Sequence, residues 1–385
     1  MQKDAHYYAL LALARACGFK KESAKTIAHA SQFVDDAKIN LIYFYKPLDF
    51  LPKHDLIRGR PAFFNMATCH SYVSIKTYNY ESMVNNTVAF HFVPGCRGEN
   101  FSKKLRCKEE SPVILSILEE ILQDGDLIKL GIALHAYADT FSHQGFSGIL
   151  SKVNDIKNCI PHSKVYLCWQ DRCIYLLKET LQKLEAITEK SKIYEKLLDK
   201  IIPAYGHGQA MTFPDYPYLK WSYAYDCSDE FSVSYQKTQI DNRQRFQRAF
   251  TRINEFLTRF LTHHTDHLDP DIKLNKRHIV ETILLPTLLS PGSLQSRVQR
   301  WKRIILEQGL FDKTDRHIIN YDEELWLKKA FTNYDRSNFN KRVVEGARLA
   351  RDFINCEWYR FYLAVKWYKQ KFFQTCRDNL LDIPN

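Results

Sequence analysis

No Cys-x-x-Cys pair occurs among the 10 cysteines of this 385-residue sequence, and the closest spacing, Cys168 to Cys173, has no second knuckle to complete a zinc site. A cysteine-built zinc module is excluded, and the cysteines read as reduced thiols, several of them buried. No run reaches the roughly 18 uninterrupted apolar residues that a membrane-spanning helix needs. The N-terminal stretch MQKDAHYYALLALARACGF is interrupted by His6 and Arg15, so it fits no cleaved signal peptide. The expected location is the cytoplasm of the producing cell, or a destination reached by an export route that uses no cleaved signal. The formal net charge is +11, yet no block of about five or six like charges marks a dedicated nucleic-acid patch. A solvated cationic surface that attracts anionic partners is the plainer reading. There is no internal repeat.

What is present is a large apolar and aromatic content, 45% hydrophobic with 24 Phe, 22 Tyr and 6 Trp, enough to bury a sizeable core. Helical periodicity dominates. It predicts helices over residues 5–17, 22–36, 112–123, 126–143, 164–202, 238–264, 276–290, 294–308, 322–332 and 338–375. Asp126 is placed to cap the helix that follows it, and Gly18 and Gly145 to stop theirs. Residues 40–95 are punctuated by Pro47, Pro52, Pro61 and Pro94 and read as long loops with short strands. Residues 94–112 read as an exposed loop and 203–230 as turn-rich. The fold class expected is mainly α, with a domain over 1–270 and a helical C-terminal region over 271–385.

The chemistry concentrates in LGIALHAYADTFSHQGF, where His135, Asp139 and His143 recur every fourth residue. Each residue of a helix advances by about 100°, so the three side chains share one stripe. The helix is otherwise apolar, which turns that stripe inward, where an unpaired carboxylate is costly. A divalent cation is the economical partner, since neutral imidazole and carboxylate are ligands zinc accepts. The competing reading is a hydrogen-bonded His-Asp-His cluster in a structural core. Further polar residues in apolar settings are His6, Asp35 and Asp36 in QFVDD, His91 in VAFHFVP and His207 in YGHGQ. The run HHTDHLD over 263–269 reads as a solvated loop.

The phrases HYYALLALARACGF, ASQFVDDA, FHFVPG, LGIALHAYADTFSHQGFSG, and GHG followed by Pro214 and Asp215 occur in this order. Together they resemble the zinc-dependent phospholipase C and single-strand-specific nuclease superfamily. The similarity is closest to its metallophospholipase C branch of bacteria and fungi, including a signal-less form delivered into host cells by type IV secretion. The resemblance spans roughly residues 1–265. It implies a multi-helix zinc phospholipase C-like domain with long irregular loops and a helical C-terminal extension. It also implies two or three zinc ions held by His6, Asp35, His91, His135, Asp139, His143 and His207. Asp139 would bridge ions and Asp35 would help deprotonate the attacking water, while Asp36, His70 and Asp215 would be further ligands or their hydrogen-bond partners. One departure stands: superfamily relatives use the amino group of a mature N-terminal Trp, and this chain begins MQKDA.

The activity so implied is hydrolysis of glycerophospholipids to diacylglycerol and a phosphorylated head group. The run EWYRFYLAVKWYKQKFF over 357–373 mixes aromatics with Arg360, Lys366, Lys369 and Lys371 and suits either an interfacial helix on an anionic membrane or a core helix with snorkelling lysines. A phospholipid surface is therefore the expected partner, with no stable nucleic-acid complex and room for a protein partner on 271–385. A nuclease would use Tyr216, Tyr218, Trp221 and Tyr223 as stacking platforms. A non-enzymatic interaction protein with a structural metal is the third reading.

Overall fold

A computed structural model describes residues 1–44, 51, 53–69, 79–167, 169, 172–177, 180, 203–225, 237–272 and 276–384. The architecture is mainly α with two small sheets. Helix α1 begins as a π-type turn, Asp4–Ala9, and continues as Leu10–Cys17, stopping at Gly18 in the left-handed conformation with φ 111°. Helix α2 spans Lys21–Asp36. A helical run over 80–91 forms α3 and ends in Ala89–His91. Helices α4 (Pro112–Asp124) and α5 (Leu127–Ser142) follow. The Asp126 side chain accepts from the Ile128 and Lys129 N–H groups at 2.8 and 3.0 Å, the cap that sets the start of α5. Helices α6 (Asn242–His263), α7 (a run over 276–288), α8 (Leu294–Glu307) and α9 (Glu357–Asp378) complete the set used below.

Helix α5 lies at the centre, packed against α2, α3, α4, α6 and α9. Its approach to α2 depends on Gly131, where a Cβ would stand 2.4 Å from the Ile27 carbonyl oxygen and 2.6 Å from the Ala30 Cβ. That closeness brings the end of α2, with Asp35, against the first polar position of α5, His135.

The strands β1 (Leu41–Tyr43), β2 (Asp55–Ile57) and β3 (Arg60–Phe64) pair in the order β2-β3-β1, and β1 continues in parallel to β7 (Val343–Glu345), with Leu41 opposite Val343. A second sheet runs β4-β5-β6, from Ile156–Pro161, Lys220–Tyr225 and Lys237–Asp241. The main core is one continuous cluster reaching from Tyr7 to Ile383. Residues after 270 share it with α1 and α2, so the division at residue 270 is not a division of the core.

Several readings are corrected. The single helix expected over 338–375 is a short helix Arg336–Phe339, the strand β7 and then α9. The β-branched pair Val343 and Val344 goes to the sheet edge offered by β1, and Gly346 at φ 70° turns the chain away. The loop reading of 40–95 misses α3, whose Asn and β-branched residues carry weak helix propensity. The turn-rich 203–230 contains β5. Most of the helix expected over 164–202 lies outside the described residues.

The interfacial-helix reading of 357–373 is also corrected. Trp358, Tyr359, Phe361, Tyr362 and Tyr368 are buried in the core, and Lys369, 5% exposed, donates to the carbonyls of Asn65 and Ala67 at 2.8 and 3.2 Å. The aromatic stripe packs inward rather than facing a membrane. No helix among the described residues is long and apolar enough to cross one.

Candidate metal centre

Five separate segments deliver the cluster. His6 comes from the first turn of α1, Asp35 from the end of α2 and His91 from the end of α3. His135, Asp139 and His143 come from α5 and its cap, and His207 and Asp215 from the turns before β5. All seven ligands expected from the sequence converge, and Asp215 joins them. Three groups, the first two sharing His135, have ligand atoms close enough to share an ion: His6, Asp35 and His135; His91, His135 and Asp139; His143, His207 and Asp215. Asp139 lies at the middle. Its Oδ1 is 3.1 Å from His6 Nε2, and its Oδ2 is 3.1 Å from His91 Nδ1, 3.4 Å from His135 Nε2 and 3.7 Å from His143 Nδ1.

The far nitrogens fix the rings. His91 Nε2–H donates to the Thr68 carbonyl at 2.9 Å, His143 Nδ1–H to the His91 carbonyl at 2.7 Å and His207 Nδ1–H to the Met211 carbonyl at 2.7 Å. Backbone carbonyls accept only, so each ring, when neutral, turns a lone pair toward the cluster, as metal-ligating histidines do. The consequence is sharpest at His143, whose Nε2 lies 3.0 Å from Asp215 Oδ1. A lone pair facing a carboxylate at that distance needs a proton or a cation between them. Among the described residues His135 Nδ1 is buried without a hydrogen-bond partner, and its ring stacks on His6 with centroids 3.8 Å apart.

Burial decides against several imidazolium ions here. It pushes both His6 and His207 down to about 4 and His135 well below the usual histidine range. Burial opposes the charge on Asp139, but the Met1 amine and the surrounding histidines outweigh it and hold the carboxyl well below its usual range. The Met1 amine lies 2.5 Å from Asp139 Oδ1 and 3.2 Å from Asp215 Oδ1. Asp35 behaves oppositely: burial and the neighbouring Asp139 push it well above the usual carboxylate range. Its side chain keeps 26% exposure while those of His91, His135 and Asp139 keep 0–1%, so solvent reaches the cluster on the Asp35 side.

Asp36 does not enter the cluster. Its Oδ2 accepts from the Tyr321 hydroxyl at 2.7 Å and from Gln32 Nε2 at 3.2 Å. His70 lies outside the described residues. The 263–269 run forms none of the candidate metal groups among the described residues; His264 Nε2 bonds the Leu122 carbonyl, and Asp269 pairs with Arg15 at 2.8 Å. Tyr216, Tyr218, Trp221 and Tyr223, the stacking platforms a nuclease would use, are 0–5% exposed and belong to a second buried cluster.

Sequence reasoning missed the residues that hold the ligands. Arg297 of α8, 1% exposed, donates to Asp4 at 2.8 and 3.1 Å and lies over the rings of Tyr216 and Tyr218 at 5.4 and 5.7 Å. It ties the segment carrying His6 to the turn carrying Asp215. An Arg between Ser296 and Val298 gives no local sign of that role.

The chain matches, over residues 1–376, a family described as a family of unknown function, DUF6765. It belongs to that family. No curated protein and no solved structure matches the chain.

Proposed function

We propose that this DUF6765 protein is a zinc-dependent phosphodiester hydrolase of phospholipase C type, distantly related to the zinc phospholipase C and nuclease superfamily. The observation that carries the metal reading is the His143–Asp215 contact at 3.0 Å, with the other ring nitrogen already committed to a backbone carbonyl. Two or three divalent ions are the fit for a donor set of imidazole nitrogens and carboxylates arranged in three groups, two of which share His135. Such ions supply Lewis acidity, which neutralises a bound phosphodiester and eases deprotonation of the attacking water.

The chain's own residues do the rest. Asp139, reached by four histidines, would hold the ions together with those rings. Asp35, the solvent-facing carboxylate of the cluster, orients the attacking water and takes its proton. The backbone carbonyls of Thr68, His91 and Met211 hold the ligand rings in the required tautomers. A glycerophospholipid gives diacylglycerol and a phosphorylated head group.

Two observations favour lipid over nucleic acid. His6 also borders a small cavity of about 30 Å³ whose other walls include Leu13, Leu134, Ala138, Phe246 and Phe250, so the surroundings of the centre on that side are apolar. The aromatics a nuclease would stack bases on are buried. A purely structural metal would need no open side, and Asp35 provides one.

The test is release of diacylglycerol from mixed phospholipid vesicles by zinc-loaded protein, with single-stranded DNA as the competing substrate. Diacylglycerol that disappears on chelation supports the proposal. Cleavage of the DNA with no diacylglycerol from any lipid overturns it in favour of a nuclease.

A further inference from the structure

The C-terminal helix α9 reaches toward the metal centre through Lys369. Lys366 and Lys371 of the same helix pair with the carboxylates of Asp55 and Glu120, whereas Lys369 turns inward and is buried. Its Nζ lies 2.8 Å from the Asn65 carbonyl oxygen, 2.9 Å from Asn65 Oδ1, 3.2 Å from the Ala67 carbonyl oxygen and 3.4 Å from Asn86 Oδ1. These neutral oxygens belong to two segments, the stretch 65–67 and helix α3. Tyr368 grips the same helix: its hydroxyl donates to the Ala89 carbonyl at 3.0 Å, and its ring stacks on Phe90, the neighbour of His91.

The stretch 65–67 leads into Thr68, which holds two candidate ligands in place. The Thr68 carbonyl accepts from His91 Nε2–H at 2.9 Å. The Thr68 hydroxyl donates to the Val34 carbonyl at 2.7 Å and its N–H to the Ala37 carbonyl at 3.1 Å, so α2 is tied on both sides of Asp35. Residues 65–68 lie outside any helix or strand, and no ladder of backbone hydrogen bonds sets their position. Burying a lysine among neutral oxygens carries a desolvation cost that an apolar side chain would avoid. What the lysine adds is a tie between the approach to Thr68 and the helix that carries His91.

We propose that Lys369 is a positioning residue of the metal centre: by fixing residues 65–67 against α3, it sets the Thr68 carbonyl that orients the His91 ring. The role rests on the metal reading of the cluster, and it gives the C-terminal helix a task at the site.

Cobalt(II) titration of the metal-free protein tests this, since the visible absorption of the bound ion reports ligand geometry as well as affinity. In Lys369→Met the affinity is expected to fall about tenfold, the lower end for loss of a group that orients a ligand, with a changed cobalt spectrum. Lys369→Arg, which keeps donors for the same oxygens, should return both toward the wild type. Asn65→Gly is the milder variant: it removes one acceptor at a position whose φ of 57° suits glycine, and it should change the spectrum in the same sense with a smaller loss of affinity. Affinity and spectrum unchanged in whichever of Lys369→Met and Asn65→Gly folds would overturn the proposal. If the wild type takes up neither cobalt nor zinc, the metal reading fails by itself. Solvent exchange of the His91 Nε2–H, followed by nuclear magnetic resonance, then decides the positioning: faster exchange in Lys369→Met supports it and equal exchange overturns it.

Discussion

The Nδ1–H of His143 is donated to the backbone carbonyl of His91 at 2.7 Å, so the ring of one candidate ligand is oriented by the main chain of another 52 residues earlier. Substitution of the His91 side chain leaves that carbonyl in place. His135→Ala, Asp139→Asn and His143→Ala are each expected to lower metal affinity and turnover by about 10–100-fold or more, with helical content retained. Circular dichroism beside metal analysis checks this. Lost folding with unchanged metal content would indicate a structural cluster instead.

Gly131 is expected to tolerate no side chain. A Cβ there would meet the Ile27 carbonyl at 2.4 Å, so Gly131→Ala must push α2 from α5, at a cost of about 1–3 kcal/mol. Asp35 then moves off His135, and metal content should fall together with the urea midpoint. A stable Gly131→Ala protein that keeps its metal would contradict the packing.

Arg297 and Asp4 form a buried pair, each side chain 1% exposed. Arg297→Met leaves a buried carboxylate uncompensated and is expected to destabilise by about 3–5 kcal/mol, while Arg297→Met with Asp4→Asn recovers part of that loss. Urea denaturation of the two variants measures it. Equal losses in both would show that the pair acts by packing alone.

Acid should destabilise the metal-free protein before its carboxylates titrate. His6 and His207 titrate near 4 and His29 near 3 in the folded chain, against about 6.5 when unfolded. Between those values the unfolded state binds more protons, so stability falls as pH drops from about 6.5 toward 4. Asp35, held above its usual range, works in the opposite sense, and the comparison is therefore made in Asp35→Asn. A urea midpoint that rises from pH 7 to pH 5 in that variant would contradict the burial of neutral histidines.

The buried face of α9 changes what its aromatics should do. Trp358→Ala and Tyr362→Ala remove side chains that are 4% and 1% exposed, and the Trp loss should destabilise by about 3–5 kcal/mol. Activity should fall alike on vesicles and on a short-chain soluble phospholipid. A loss confined to vesicles would restore the interfacial role.

The residues of the buried cluster were legible because each interrupts an apolar pattern or repeats at helical spacing, as in His135, Asp139 and His143. The long helices α2, α5 and α6 were legible for the same periodic reason. What escaped depends on partners distant in the chain. The strand β7 exists because β1 offers an edge about 300 residues earlier in the sequence. The inward face of α9 depends on where α4 and α5 lie, since an aromatic stripe with lysines reads alike in a core and at a membrane. Asp36 is turned away by Tyr321, which local sequence cannot show. The carbonyls that set the histidine tautomers belong to Thr68, His91 and Met211, and a backbone group leaves no mark in composition.

The central claim is that the buried histidines and carboxylates hold metal. Elemental analysis of gently purified, chelator-free protein tests it most directly. The account predicts about two to three equivalents of zinc or a similar transition ion per chain, lost on chelation together with activity. Fewer than about half an equivalent, in protein that is folded and unchanged by added zinc, would contradict it.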